Sequence, residues 1–157
     1  MLNRGILLKQ LNDKDTELYN QVVMLVMKFD ESEKKLKSSQ RVLVNCHSFA
    51  RAVAFHIKEL KVTDGYYRGM SAKNGRMYTT RTEHSWLTTP NGCIIEAYAI
   101  GFLSVTPVLV PTTGKLTHAY ANCYTLDREA VRSIRKHLKD PIVQAKIATA
   151  KERLGKC

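Results

Sequence analysis

No run in this sequence approaches the roughly 18 apolar residues that a membrane span needs. The opening stretch, MLNRGILLKQLNDKD, holds too short an apolar segment for a secretory h-region. Both absences predict a cytoplasmic chain without membrane contact. Four cysteines, Cys46, Cys93, Cys123 and Cys157, are widely spaced and form no CxxC pair. That spacing argues against a disulfide framework, and against a zinc site built from Cys46, His84, Cys93 or Cys123. No cofactor is expected. There is no internal repeat and no low-complexity tract, so one domain over residues 1–157 is the expectation. Acids are scarce, 14 against 25 Lys plus Arg, for a formal charge of +11. From Arg128 to Cys157 nine basic residues face three acids, so over half the surplus lies on the terminal segment. A solvated basic face is the plainer reading there, and a nucleic-acid contact the sharper one.

What is present is an ordinary apolar share of 44%, enough for a packed core. Leu18, Val22, Leu25, Val26 and Phe29 recur at helical spacing from Asp15 to Phe29, behind a cap at Asp13 or Asp15. DESEKKLKSSQ then reads as an exposed connection that extends or frays this helix. Asn45 caps a second helix over Cys46 to Lys61, with Phe49, Val53, Ile57 and Leu60 on one face. Asp64-Gly65 marks a turn, and Tyr66-Tyr67 begins a strand. After the Asn74-Gly75 turn, RMYTTRTEHSWLTT has strand composition. Pro90-Asn91-Gly92 turns the chain into a partner strand from Cys93 to Ile100. Further strands are expected at Ser104 to Val110, an edge strand by its Pro107, and at Leu116 to Tyr124. Helices from Asp127 to Lys139 and, behind Asp140-Pro141, along Val143, Ile147, Ala150 and Leu154 complete an α+β order with an antiparallel sheet. Met24 and Met27 are expected in the core.

Cys46 opens its helix, where unpaired amides and the helix dipole favour a thiolate. A buried, inert thiol is the competing reading. His84 and Trp86 share one face of their strand. A three-residue hairpin loop of Thr89, Pro90 and Asn91, or a five-residue loop, sets His84 opposite Glu96. A two-residue loop pairs His84 with Ala97 and turns Glu96 away. Opposite each other, Glu96 can accept the second ring NH of His84. A carboxylate within CIIEAYAI needs such a partner, because an unpaired buried charge is costly. Glu96 facing water, or paired with a Lys or Arg, is the bland alternative. His47 is expected to point away from Cys46 around the helix, His56 to lie at the surface or half buried, and His118 is a rival base.

Taken together, NCHSFARAVAF, HSWL and GCIIEAY carry the Cys, His, acid order of the papain-like superfamily. The chain resembles in particular its transglutaminase-like branch and the bacterial NlpC-type peptidases. The resemblance implies a papain-like fold with Cys46 as nucleophile, His84 as base and then acid, and Glu96 as the orienting residue. It also implies an oxyanion hole. Gln40, six residues before Cys46, has the spacing of the oxyanion-hole glutamine, and Asn45 or the Cys46 amide are alternative donors. The activity implied is thiol-dependent acyl transfer: hydrolysis of a peptide or amide bond first, deamidation or transglutamination second, on a protein or peptide. The competing function is a binding protein without catalysis, engaging an acidic protein or nucleic acid through the basic terminal helices. Segments Gly101 to Pro111 or Gly69 to Gly75 are candidates to cover the site.

Overall fold

A computed structural model describes residues 12–73, 76–98, 108–110 and 124–157. The chain is α+β. Its elements are α1 (Asp13–Lys34), a short 3-10 turn (Ser38–Gln40), α2 (Cys46–His56), β1 (Lys61–Lys73), β2 (Arg76–Thr88), β3 (Ile94–Glu96), β4 (Val108–Val110), β5 (Tyr124–Leu126), α3 (Arg128–Leu138) and α4 (Pro141–Gly155). The strands form one sheet in the order β4-β3-β2-β1-β5, and each recorded pairing is antiparallel. Among the described strands β4 is an edge, as Pro107 suggests. The turn at Asn74-Gly75, all but Tyr124 of the strand expected at Leu116 to Tyr124, the rival His118, Cys123, and most of the Gly101 to Pro111 segment lie outside the described residues. Among the described residues no helix is long and apolar enough to cross a membrane.

Helix α1 buries Leu18, Val22, Val26 and Phe29 as its spacing predicts, but Met24 and Met27 are half exposed, at 59% and 53%. They fall off the apolar stripe, so they are surface and not core. The cap is Asn12, one residue before the expected aspartates, with its side chain accepting from the Asp15 amide at 2.8 Å. The helix also runs on to Lys34 into the charged connection. Glu33 explains the extension. It is buried, accepts from the Val42 amide at 2.8 Å, and is paired with Arg153 of α4. Arg153 in turn donates to the Gln40 carbonyl at 2.7 Å, which fixes the segment leading into α2.

Phe49, Ala50 and Val53 of α2 pack with the α1 stripe, with Leu87 and Ile95 of the sheet, and with Ala150 and Leu154 of α4. α2 stops at His56, earlier than its periodicity implies, yet Ile57 and Leu60 remain buried on the way into β1. Asp64-Gly65 is not a turn. Both residues sit inside β1, which pairs with β2 along its full length, Gly65 facing His84. Gly69 to Lys73 likewise belong to β1 rather than to a covering loop. Asp127 and Asp140 cap α3 and α4, with Pro141 at the first turn. Val143, Ile147, Ala150 and Leu154 are buried in α4; in α3 the buried residues are Ala130 and Ile134.

The β2–β3 hairpin sets the register of the site. Thr89 N donates to the Cys93 carbonyl and Gly92 N to the Thr89 carbonyl, each at 2.9 Å, and Gly92 has φ of 85°. This is a three-residue loop of Pro90, Asn91 and Gly92 that needs a glycine at its left-handed last position. The expected loop began one residue earlier. Leu87 therefore pairs with Ile95 and Thr88 with Ile94, and continuing that ladder puts Glu96 across from Trp86, not His84. The shift is by two residues, so every side chain keeps its face. His84 and Glu96 become diagonal neighbours, still within reach for long side chains.

Asp15 of α1 clamps that loop. Its buried carboxylate accepts from Thr89 Oγ1 at 2.8 Å, Asn91 Nδ2 at 3.3 Å and Cys93 Sγ at 3.3 Å. Asp15→Ala should cost about 1–3 kcal/mol by leaving buried donors unsatisfied, measured as a lower urea midpoint. A midpoint within error of the parent would show that the clamp contributes nothing.

Candidate active site

Cys46 is the first residue of α2, behind the Asn45 cap, whose Oδ1 accepts from the Ser48 amide at 2.9 Å. The recorded β2–β3 ladder reaches back only to Leu87. Just beyond it, the first turn of α2 meets both His84 and Ser85, neighbours that point to opposite faces of β2. His84 is fully buried and Glu96 is 3% exposed; His84 Nε2 and Glu96 Oε2 are 2.6 Å apart. A carboxylate partner at that distance makes Nε2 the donor. Tyr124 of β5 donates its hydroxyl to the same Oε2 at 3.1 Å. Tyr67, Trp86 and Tyr124 surround the imidazole, with ring centroids 5.9, 6.2 and 6.5 Å from it. Nδ1 of His84 makes no hydrogen bond of ordinary geometry. It is the ring nitrogen left to the Cys46 thiol, which interacts with this ring and shifts its titration.

The electrostatics follow from those contacts. Burial works against a thiolate at Cys46, but hydrogen bonding from His47 and His84, with the charges of both rings, outweighs it and brings the thiol down to about 6. Burial also works against a charged His84. The contacts with Cys46 and Glu96 overcome it and push the imidazole up to about 9. The dipole of α2 acts in the same direction on the thiolate. Between these two values a thiolate and an imidazolium coexist, the resting state of an activated cysteine.

Gln40 is exposed in the 3-10 turn, and its side-chain oxygen accepts from the Lys37 amide at 3.3 Å within that turn. Asn45 caps α2, and its Nδ2 lies 3.3 Å from Nε2 of His137 in α3. Its amide group is thus at the thiol end of the helix with a second histidine beside it. His56 is exposed and bonds the Lys151 carbonyl. Cys93 is turned to Asp15. Among the described residues no group of three or more His, Cys, Asp or Glu could hold a metal ion.

His47 is the residue that sequence reasoning misplaced. Instead of pointing away, it interacts with the Cys46 thiol, and its Nδ1 lies 2.8 Å from Ser85 Oγ. Helical side chains lean toward the N-terminus, and in a first turn there is no preceding turn to separate neighbours. Two consecutive side chains can therefore converge on one spot. Ser85 Oγ donates to Asp64 Oδ1 at 2.5 Å, and Arg51 of α2 pairs with Asp64 at 2.7 Å. Asp64, read in the sequence as half of a turn, is the anchor of this second chain of contacts. Compared with family models, with curated proteins and with solved structures, the chain matches none.

Proposed function

We propose that this chain is a cysteine-dependent acyl-transfer enzyme with a papain-like, transglutaminase-like arrangement, whose first activity is hydrolysis of a peptide or amide bond through a thioester. The observation that carries the reading is the meeting of the helix-borne Cys46 thiol with a buried His84 whose other nitrogen is held 2.6 Å from Glu96. In this reading Cys46 attacks the carbonyl carbon as a thiolate. His84 holds the thiolate as an imidazolium and then protonates the leaving amine. Glu96 fixes the tautomer of His84 and stabilises its charge. The Cys46 amide and Asn45, at the same end of α2 as the thiol, are the candidate oxyanion donors, while the Gln40 side chain is engaged by the Lys37 amide of its own turn.

The test is alkylation of Cys46 by iodoacetamide across pH, located by mass spectrometry, in the parent and in His84→Ala. In the parent the rate should rise with an apparent pKa near 6, and in the variant that limb should move up toward the ordinary thiol value of about 8.5. Hydrolysis should follow a bell with limbs near 6 and 9. An ordinary titration in both proteins would sink the enzyme reading. One feature favours the second reading, a binding protein: Arg128, Arg132, Arg135, Lys136 and Lys139 are all exposed on or beside α3. Nucleic-acid binding that falls steeply with salt and survives Cys46→Ala would support it.

A further inference from the structure

The same thiol is flanked by a second imidazole, and the two rings differ in what they can reach. His84 is fully buried with Nε2 committed to Glu96. His47 is only half buried, so of the two it is the ring open to a water molecule or another nucleophile arriving at the sulfur. The contacts of its other nitrogen settle its tautomer. A serine hydroxyl has one hydrogen and two acceptor sites. The hydrogen of Ser85 goes to Asp64 at 2.5 Å, while Arg51 Nη1 donates to Ser85 Oγ at 3.3 Å. The remaining acceptor site of Ser85 faces His47 Nδ1 at 2.8 Å, so Nδ1 carries a hydrogen in either state of the ring: the charged ring donates from Nε2 toward the thiolate, and the neutral ring, the form that acts as a base, bears its lone pair there. Arg51 also donates to the His47 carbonyl at 3.2 Å, tying the helix turn to the relay.

We propose that His47 is a second catalytic base at Cys46, taking the proton of the nucleophile that resolves the thioester, with Ser85, Asp64 and Arg51 as its positioning residues. This inference rests on the acyl-transfer reading and deepens it by dividing the two half-reactions between two histidines.

In the first half-reaction the Cys46 thiolate forms the carbon–sulfur bond, the carbon–nitrogen bond breaks, and the departing amine takes the proton of His84. In the second, water attacks the thioester carbon and gives one proton to Nε2 of His47. The carbon–sulfur bond breaks, and the sulfur leaves with the bonding pair as a thiolate. The proton on His47 then passes through the sulfur to His84, which restores the resting pair. The sum is amide plus water giving acid plus amine, with no other reactant.

The experiment uses p-nitrophenyl acetate as an acyl donor, with nitrophenol release followed by stopped flow and the acetyl group on Cys46 followed by intact mass. The parent should acetylate and turn over. His47→Ala should still acetylate, but its deacylation should slow by about 100-fold or more, so that acetyl-Cys46 accumulates. Added imidazole should restore part of the lost rate, a rescue that a merely structural defect would not show. Ser85→Ala, which keeps the ring and removes its orienting acceptor, should slow the same step by a smaller factor. His84→Ala should instead fail at acetylation. If His47→Ala deacylates at the parental rate, or accumulates adduct that imidazole does not clear, the second base is refuted and the acyl-transfer reading stands. If the parent itself gains no acetyl group on Cys46, the acyl-transfer reading falls and this inference with it.

Discussion

Replacing Glu96 by alanine should cost about 3–5 kcal/mol at neutral pH, because it strands a charged imidazole in a fully enclosed site. His84 and the Glu96 carboxylate are 0% and 4% exposed, so water cannot stand in for the lost partner. The size of the loss should depend on pH in a defined way. His84 sits at about 9 in the folded chain against an ordinary 6.5. Its raised value therefore contributes stability fully below 6.5 and loses it as pH rises through about 9. Cys46 has the opposite sense: lowered from 9 to about 6, it contributes fully above 9 and loses the contribution as pH falls through about 6. The ion pair is thus strongest between these limits. Urea unfolding of Glu96→Ala and the parent at pH 7 and pH 10 should show a large gap at the first value and a smaller one at the second. An equal gap at both would mean that Glu96 acts through packing alone. The Cys46 titration should rise in the same variant, losing roughly tenfold in thiolate per pKa unit wherever the thiol is mostly protonated.

Gly65→Ala should be the most damaging change that adds only a methyl group. Gly65 pairs with His84 on one side and with Leu126 on the other. A β-carbon there would drive into the Thr125 carbonyl oxygen and lie 2.8 Å from Cη2 of Trp86. The first obstacle is backbone, so relief requires β5 to move, and β5 carries the Tyr124 hydroxyl that donates to Glu96. Overpacking of this kind costs about 1–3 kcal/mol. A lower urea midpoint should therefore be accompanied by a raised Cys46 titration. A stable variant with an unaltered thiol would show that β5 does not hold the site.

The sequence made the helices and the faces of the strands readable, because apolar spacing reports burial directly. Leu18, Val22, Phe49, Val53, Ile147 and Leu154 all lie where their periods put them. His84 and Glu96 could be paired because their parity along the strands survives a register shift of two, and Cys46 stood out because it follows the Asn45 cap of its helix. What was misread were residues with two possible reasons for being there. Asp64-Gly65 has the composition of a turn, but the aspartate is present to hold Arg51 and Ser85, and the glycine to let Trp86 and β5 approach. Glu33 looked like one more charge in an exposed segment, yet its partner is Arg153, far along the chain. His47 was hidden because the direction of a side chain in a first helical turn depends on tertiary partners, here Ser85 of β2. No local pattern encodes those contacts.

The helix that bears Cys46 rests on α4 more extensively than on any other described helix, and α4 also clamps the approach to Cys46 through Arg153. Tyr124, which steadies Glu96, comes late in the chain as well. During synthesis Cys46, His84 and Glu96 therefore emerge from the ribosome before the parts that hold them in place. A nascent chain that has exposed only α1 to β4 carries a thiol without its full support. The support around the Cys46 thiol would then be complete only in a chain that has been made through α4.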